Sequence, residues 1–154
     1  STVYLHSLEK NGMDCMTTGS NGYAARAASA FNRRDLEAML ALVSEDVGYF
    51  DGIGIQTGRE AMHKRELALL EAFPDAKVIL SPFVVTDDRL ALIVFLTGTF
   101  TAPLVLSDRV IPPHGRHITL YYAAHLTFRD GLVIREEVFF DRVVLMPLAD
   151  HSEG

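Results

Sequence analysis

Apolar residues recur at helical spacing through the first half of the chain, after a polar leader arm at positions 1–20. Two stripes at this spacing are formed by Tyr23, Ala27, Ala30 and Phe31 and, after Asp35, by Leu36, Met39, Leu40 and Val43. A third helix is predicted from Gly58 up to Pro74, because proline cannot continue a helix. The segment 44–51 predicts a short strand before this third helix.

The second half of the chain is rich in β-branched residues and predicts four long strands, at positions 77–86, 89–101, 117–128 and 132–146. Asp87-Asp88 and Asp130-Gly131 are predicted as hairpin turns between them, and Asp-Gly is the stronger signal. Pro112-Pro113 prevents regular pairing, so a loop is predicted over 103–113. Helices followed by strands, with neither a repeat nor a domain boundary, predict the α+β class with a strongly curved antiparallel sheet.

Composition and charge narrow the class of protein. The 154 residues are 49% hydrophobic and 22% charged, which fits one folded domain and excludes a disordered chain. The longest apolar run, at positions 90–96, is too short to span a membrane. A net charge of -6 without a basic cluster argues against nucleic-acid binding. Cys15 is the single cysteine and no secretory signal is visible, so a cytoplasmic location is expected.

The Asp130-Gly131 turn also predicts which side chains share a face of the last hairpin. If these two residues are the loop, Arg129 opposes Leu132 and the pairing continues without interruption. The face with the larger apolar side chains, which should meet the helices, then comprises Leu120, Tyr122, Ala124, Leu126 and Phe128 opposite Asp141, Phe139, Glu137, Arg135 and Val133. Asp141 and Glu137 are therefore predicted to point inward, unless a β-bulge exchanges the faces.

An inward Asp141 among apolar neighbours predicts a site for proton transfer. Burial disfavours the charged carboxylate and raises its pKa, which suits general acid–base catalysis near neutral pH. The alternative is a structural aspartate that is hydrogen-bonded to a neighbouring strand or caps a loop.

The opposite face of the hairpin predicts a contact between subunits. His125 opposes Glu136 there, which makes a catalytic role for this histidine the weaker interpretation. Tyr121, Ala123 and Phe140 lie on the same face and form an apolar patch suited to a homodimer, with a solvated face as the alternative.

Few other groups in the sequence carry chemistry. His114 and His117 lack the partners of a zinc site, and no glycine-rich dinucleotide-binding loop is found, so neither a metal nor a cofactor is expected. Tyr23, Tyr49, Asp51 and His63 are candidate lining residues of a cavity. Core packing is the alternative for Tyr23, a turn for Asp51, and an exposed helix face for His63.

Seven segments stand in a characteristic order: Ala30-Phe31-Asn32-Arg33-Arg34-Asp35-Leu36, Glu45-Asp46-Val47, Gly58-Arg59-Glu60-Ala61-Met62, Ala72-Phe73-Pro74-Asp75, Pro112-Pro113-His114-Gly115-Arg116, Arg129-Asp130-Gly131 and Phe139-Phe140-Asp141. In this order the chain resembles the SnoaL-like polyketide cyclases of the nuclear-transport-factor-2-like superfamily. The resemblance covers residues 21–147, leaving the arm at 1–20 and a tail at 148–154.

The resemblance implies a cone-shaped fold in which the curved sheet wraps around the helices and encloses an apolar pocket. It also implies an enzyme that closes the last ring of an aromatic polyketide by an intramolecular aldol reaction, without metal or cofactor. The family's acid/base aspartate corresponds to Asp141. The side chains then predicted to bind the substrate are Tyr23, Tyr49, Asp51, His63, Tyr122, Glu137 and Phe139. Two positions depart from the family pattern: His114 replaces a common threonine, and Glu137 a frequent aromatic residue.

The predicted function is a cofactor-free cyclase of natural-product and antibiotic biosynthesis. It would act as a cytoplasmic homodimer on a small polyketide-like molecule, with neither nucleic acid nor membrane as a partner. A second hypothesis is epoxide opening, hydrolytic or ring-forming, as in limonene-epoxide-hydrolase-like relatives of the fold. That chemistry needs two carboxylates, which Asp141 with Glu137 or Asp51 would supply. A third is a non-catalytic small-molecule binder or assembly module, since fold alone does not decide function.

Overall fold

The structure, a computed structural model, describes residues 19–51, 54–106 and 108–139. Within them the chain forms three helices, α1 (Ser20–Asn32), α2 (Leu36–Leu40) and α3 (Arg59–Ala72). It also forms eight strands: β1 (Val43–Phe50), β2 (Ile55–Thr57), β3 (Lys77–Val85), β4 (Arg89–Thr99), β5 (Leu104–Val105), β6 (Val110–Ile111), β7 (His117–Arg129) and β8 (Leu132–Phe139). The predicted α+β class is confirmed. Phe140, Asp141 and the proposed tail lie outside the described residues.

Local sequence signals explain where the helices begin and end. The Asp35 carboxylate accepts a hydrogen bond from the Ala38 amide at 3.0 Å and so caps α2. Gly58, with a φ of 100°, precedes α3 in a conformation that favours glycine. Pro74 follows Phe73 directly after α3, as predicted. Among the described helices, none is long and apolar enough to cross a membrane.

The main sheet has the strand order β2-β1-β8-β7-β4-β3. Its pairs are antiparallel, as predicted, except that of β1 with β8, which is parallel and makes the sheet mixed. A short turn forces only neighbouring strands to run antiparallel, and β1 and β8 are far apart in the sequence. The predicted loop over 103–113 contains the small hairpin of β5 and β6.

A β-bulge in the last hairpin changes the predicted faces of β8. Asp130 and Gly131 have φ values of 53° and 78°, which fits the predicted two-residue turn. Phe128 opposes Val133 as expected, but Thr127 opposes Arg135, so Ile134 is an extra residue in β8.

The pairing predicted beyond this point is therefore wrong. Leu126 opposes Glu136, Ala124 opposes Val138, and His125 opposes Glu137. The shift has a physical advantage, because the uninterrupted register would turn both Arg135 and Glu137 toward the core. In the observed register Glu136 and the buried Val138 face the core instead, so β8 turns one charged residue inward and not two.

Candidate functional site

A cavity of about 580 Å³ lies between the helices and the inner face of the sheet. Most of its wall is aliphatic and includes Leu92, Val94, Leu96, Leu120, Leu126 and Val138. Five of the predicted substrate-binding residues line it: Tyr23, Tyr49, Asp51, His63 and Tyr122. A cavity of this size accommodates a molecule of roughly 300–400 Å³ at ordinary packing densities.

One part of the cavity wall is strongly polar. The Arg65 Nη2 atom contacts Oε1 of Glu66 and lies 3.7 Å from Oε1 of Glu136. The Glu66 and Glu136 side chains are only 8% and 13% exposed, and that of Arg65 is 26% exposed. We call these three residues the Glu–Arg–Glu cluster. Two largely buried carboxylates therefore share one guanidinium group.

Helix α3 places two members of the cluster on its apolar stripe. Arg65 and Glu66 follow Met62 by three and four residues and precede Leu69 by four and three residues. Positions with this spacing share one face of a helix, and here that face lines the cavity. This pair was not predicted from the sequence, although a charged pair within an apolar helical stripe is the signal that points to it.

The β-bulge places the third member, Glu136, on the inner face of the sheet. The parallel pairing of β8 with β1 sets Glu136 beside Tyr49. The Tyr49 ring in turn packs against Arg65, whose guanidinium carbon lies 3.8 Å from the ring centroid. The cluster is therefore assembled from α3 and β8, with Tyr49 of β1 beside it.

Burial controls the protonation of these groups. It raises the pKa of Glu136 above its ordinary value, Glu66 raises it further, and Arg65 opposes the shift. Burial also raises the pKa of Tyr23 and of Tyr122, so both hydroxyls keep their protons. The pKa of Arg65 is lowered by burial, but Tyr49 and the two glutamates outweigh this and hold it well above its usual range. The site thus combines a carboxyl group able to exchange a proton with hydroxyl donors.

Glu137 and Phe139 do not line the cavity, so their predicted inward orientation is wrong. The Glu137 carboxylate lies on the outer face of the sheet, 3.1 Å from Arg135 Nε and 3.5 Å from His125 Nδ1. Phe139 opposes Ala123 and is 51% exposed. The extra residue Ile134 is the cause in both cases. Asp141 lies outside the described residues, and its catalytic role stays a prediction.

The histidines considered for a metal site lie apart from the cavity. His117 Nδ1 is 3.1 Å from the Thr99 hydroxyl, and the His114 ring packs edge-on against Phe100 at 5.0 Å. In the part of the chain that the structure describes, no group of three His, Cys, Asp or Glu side chains is arranged to hold a metal ion.

Comparison with known proteins places this geometry among related folds. The profile of the SnoaL-like domain family matches residues 24–136. AclR, a candidate hydroxylase from Streptomyces galilaeus, is 21% identical over 89% of this chain and 96% of its own, with a TM-score of 0.65. A candidate polyketide cyclase from Xanthomonas campestris is 19% identical over 82% and 93%, with a TM-score of 0.70.

TerC, co-crystallised with polyporic acid, is 22% identical over 78% of this chain and 89% of its own, with a TM-score of 0.61. No curated protein matches the sequence. The solved structures confirm the cone-shaped α+β fold, and their different names indicate that the fold serves more than one chemistry.

Proposed function

Because this chain belongs to the SnoaL-like domain family, we propose that it is a cofactor-free cyclase that closes a carbon–carbon ring in a polyketide-type molecule. The observation that best supports the proposal is the Glu136 carboxyl group, which is buried and ion-paired on the wall of a mainly aliphatic cavity. A carboxyl group with a raised pKa is suited to take up and return a proton near neutral pH.

The first step is proton removal from a carbon between two carbonyl groups. The ionised Glu136 takes this proton, and the electron pair of the C–H bond forms an enolate. The hydroxyls of Tyr23 and Tyr122 face the same cavity and are able to donate hydrogen bonds to the enolate oxygen. The low polarity of the other walls strengthens these interactions.

The second step is ring closure. The enolate carbon attacks a carbonyl carbon farther along the same molecule, a C–C bond forms, and the carbonyl oxygen becomes an alkoxide. Protonated Glu136 returns its proton to that alkoxide, so the product is an isomer of the substrate. The aliphatic walls hold the two reacting ends together, and such intramolecular alignment is worth effective molarities of ~10⁵ M or more.

A linear aryl triketone tests this proposal. With carbonyls at positions 1, 3 and 7 of its chain, the methylene between the first two is able to attack the third carbonyl and close a six-membered ring. We expect the protein to accelerate formation of the cyclic isomer over buffer, measured by chromatography with mass detection. Saturable binding of the probe without acceleration contradicts the proposal and favours a non-catalytic binder.

Asp141 remains the acid/base residue implied by the family resemblance, and the same assay distinguishes it from Glu136. Asp141→Asn and Glu136→Gln each replace a carboxylate by an amide of the same shape. Loss of turnover in Asp141→Asn alone would assign the proton transfers to Asp141. Normal turnover in both folded variants would contradict acid–base catalysis and leave ring closure to the shape of the pocket.

Epoxide opening is a second candidate function, favoured by the contact of both Glu66 and Glu136 with the same nitrogen of Arg65. Two carboxylates on one cation suit a reaction in which one activates water and the other protonates the epoxide oxygen. An aryl epoxide incubated with the protein in isotopically labelled water separates the two candidates. Labelled diol supports epoxide opening, and unchanged epoxide contradicts it.

We also propose that two copies of the chain pair through the outer face of the sheet. Tyr121 is 64% exposed and packs edge-on against Phe95 at 5.0 Å, and the strand register places the exposed Ile79 and Phe139 on the same face. These features favour a second copy as the partner.

The homodimer is expected to dissociate when Tyr121→Glu places a charge in the apolar face. Light scattering at tens of micromolar should report twice the mass of 17.0 kDa for the unmodified chain and the monomer mass for the variant. A monomer in the unmodified protein, or an unchanged dimer in a folded variant, would contradict this interface.

A further inference from the structure

The fixed positive charges on the described part of the cavity wall already have carboxylate partners before any ligand enters. Arg65 is shared by Glu66 and Glu136, and at the rim Lys64 Nζ lies 3.1 Å from Glu60 Oε1. The Lys64 and Glu60 side chains are 75% and 84% exposed, so water screens that pair. Among the described residues that line the cavity, both basic groups of fixed positive charge therefore have a carboxylate partner, and His63 is the remaining basic side chain.

A ligand carboxylate entering this cavity would meet two carboxylates and one shared cation. It would have to lose its hydration without gaining a cation of its own, which is costly in surroundings of low polarity. A ketone, enol or phenol carries no such cost, and the cavity is also lined by the phenol side chains of Tyr23 and Tyr122. The arrangement thus favours an uncharged oxygen function over an anionic one.

We infer that the Glu–Arg–Glu cluster is a specificity device that restricts the cavity to uncharged, mainly apolar ligands and excludes carboxylates of the same shape. The inference rests on the proposed function because both concern the same cavity. It predicts which ligands bind there, whereas the proposed function predicts turnover. Glu66 and Glu136 act as the excluding groups. Arg65, freed from one of them, becomes able to receive an anion.

Two probes of nearly equal shape test the inference: 2-acetylnaphthalene, which is neutral, and 2-naphthoate, which is anionic. Their affinities for the full chain are measured by titration calorimetry at pH 8. We expect the ketone to bind at least about tenfold more tightly than the carboxylate. Equal affinity, tighter binding of the carboxylate, or binding of neither probe would overturn the inference.

Glu136→Gln is expected to reduce this preference by about tenfold, because it leaves Arg65 and Glu66 as a neutral pair. Glu137→Gln is the matched control, since it removes the same charge from the adjacent residue on the outer face. Its preference should equal that of the unmodified chain. An equal change in both variants would indicate an effect of net charge alone and overturn the inference.

Circular dichroism checks that each variant is folded. If Glu136→Gln is not, Glu66→Gln answers the same question, because both carboxylates contact the same nitrogen of Arg65. Loss of the neutral preference with intact cyclisation would overturn this inference and leave the proposed function standing. If cyclisation is absent but the preference for the neutral probe is intact, the proposed function is contradicted and this inference stands.

Discussion

Glu136→Gln is expected to fold and to lose turnover of the triketone probe by about 10²- to 10⁴-fold, the usual contribution of a general acid–base group. The amide keeps the shape of the side chain but neither accepts the proton in the first step nor returns it in the second. The measurement is the rate of formation of the cyclic isomer at saturating probe concentration, which separates a loss of turnover from a loss of binding.

Glu137→Gln is the control for this prediction, because the adjacent side chain points to the other face of the sheet. It should keep turnover within about twofold of the unmodified chain, since a change on the outer face removes no group from the cavity. A folded Glu136→Gln variant with near-normal turnover would contradict the role of Glu136 as the proton carrier.

The same pair of variants should differ in how their stability depends on pH. The pKa of Glu136 is raised in the folded chain, mainly by burial, above the ordinary value of 4.5 that it regains on unfolding. As pH rises through this interval, the unfolded chain has lost its proton while the folded chain still holds it. The free energy of unfolding therefore falls with pH across the interval. Urea denaturation at several pH values should show this fall in Glu137→Gln and a smaller fall in Glu136→Gln.

The second large effect is expected for Arg65→Met, which should lower the free energy of unfolding by about 3–5 kcal/mol. Methionine fills much of the space of the arginine stem, but it leaves the carboxylates of Glu66 and Glu136 without their shared cation. Two unpaired carboxylates close together in a largely buried site are each costly. The loss of unfolding free energy should be smaller at pH 5 than at pH 8. Protonation of Glu136, whose pKa is raised, then removes part of the repulsion between the two carboxylates. Urea denaturation at the two pH values measures both effects.

Arg135→Met is the matched control for the loss of a guanidinium group. Arg135 lies on the outer face, its side chain is 50% exposed, and its ion pair with Glu137 is open to solvent. Such pairs contribute about 0–1 kcal/mol, so this variant should be nearly as stable as the unmodified chain. Similar losses in the two variants would show that the cluster holds no special electrostatic role.

The burial of the Glu–Arg–Glu cluster costs folding free energy, because its charged groups lose hydration. A buried ion pair is often no more stabilising than apolar side chains of similar volume, so its presence in this cavity is not explained by stability alone. Charged groups held within an aliphatic wall are, however, what proton transfer and ligand selection require. The same three side chains therefore support both the proposed reaction and the inferred exclusion of anions.

The sequence by itself determined the elements of the fold and much of the cavity wall. The helical stripes, the proline after α3, the start of α2 after Asp35 and the Asp130-Gly131 turn are local signals, and each was found close to its predicted place. Tyr23, Tyr49 and Tyr122 were predicted to line a cavity, and they do. These predictions hold because hydrophobic periodicity depends on neighbours within a few residues.

The tertiary structure alone decided which glutamate faces the cavity and what it meets there. One extra residue, Ile134, exchanges the faces of Glu136 and Glu137. The alternation of side chains along a strand does not reveal where such an extra residue is inserted. Arg65 and Glu66 are an ordinary charged pair on a helix until β8 brings Glu136 to them. Arg65 and Glu136 are 71 positions apart and meet because β1 and β8 pair in parallel across the sheet, a contact that local periodicity does not encode.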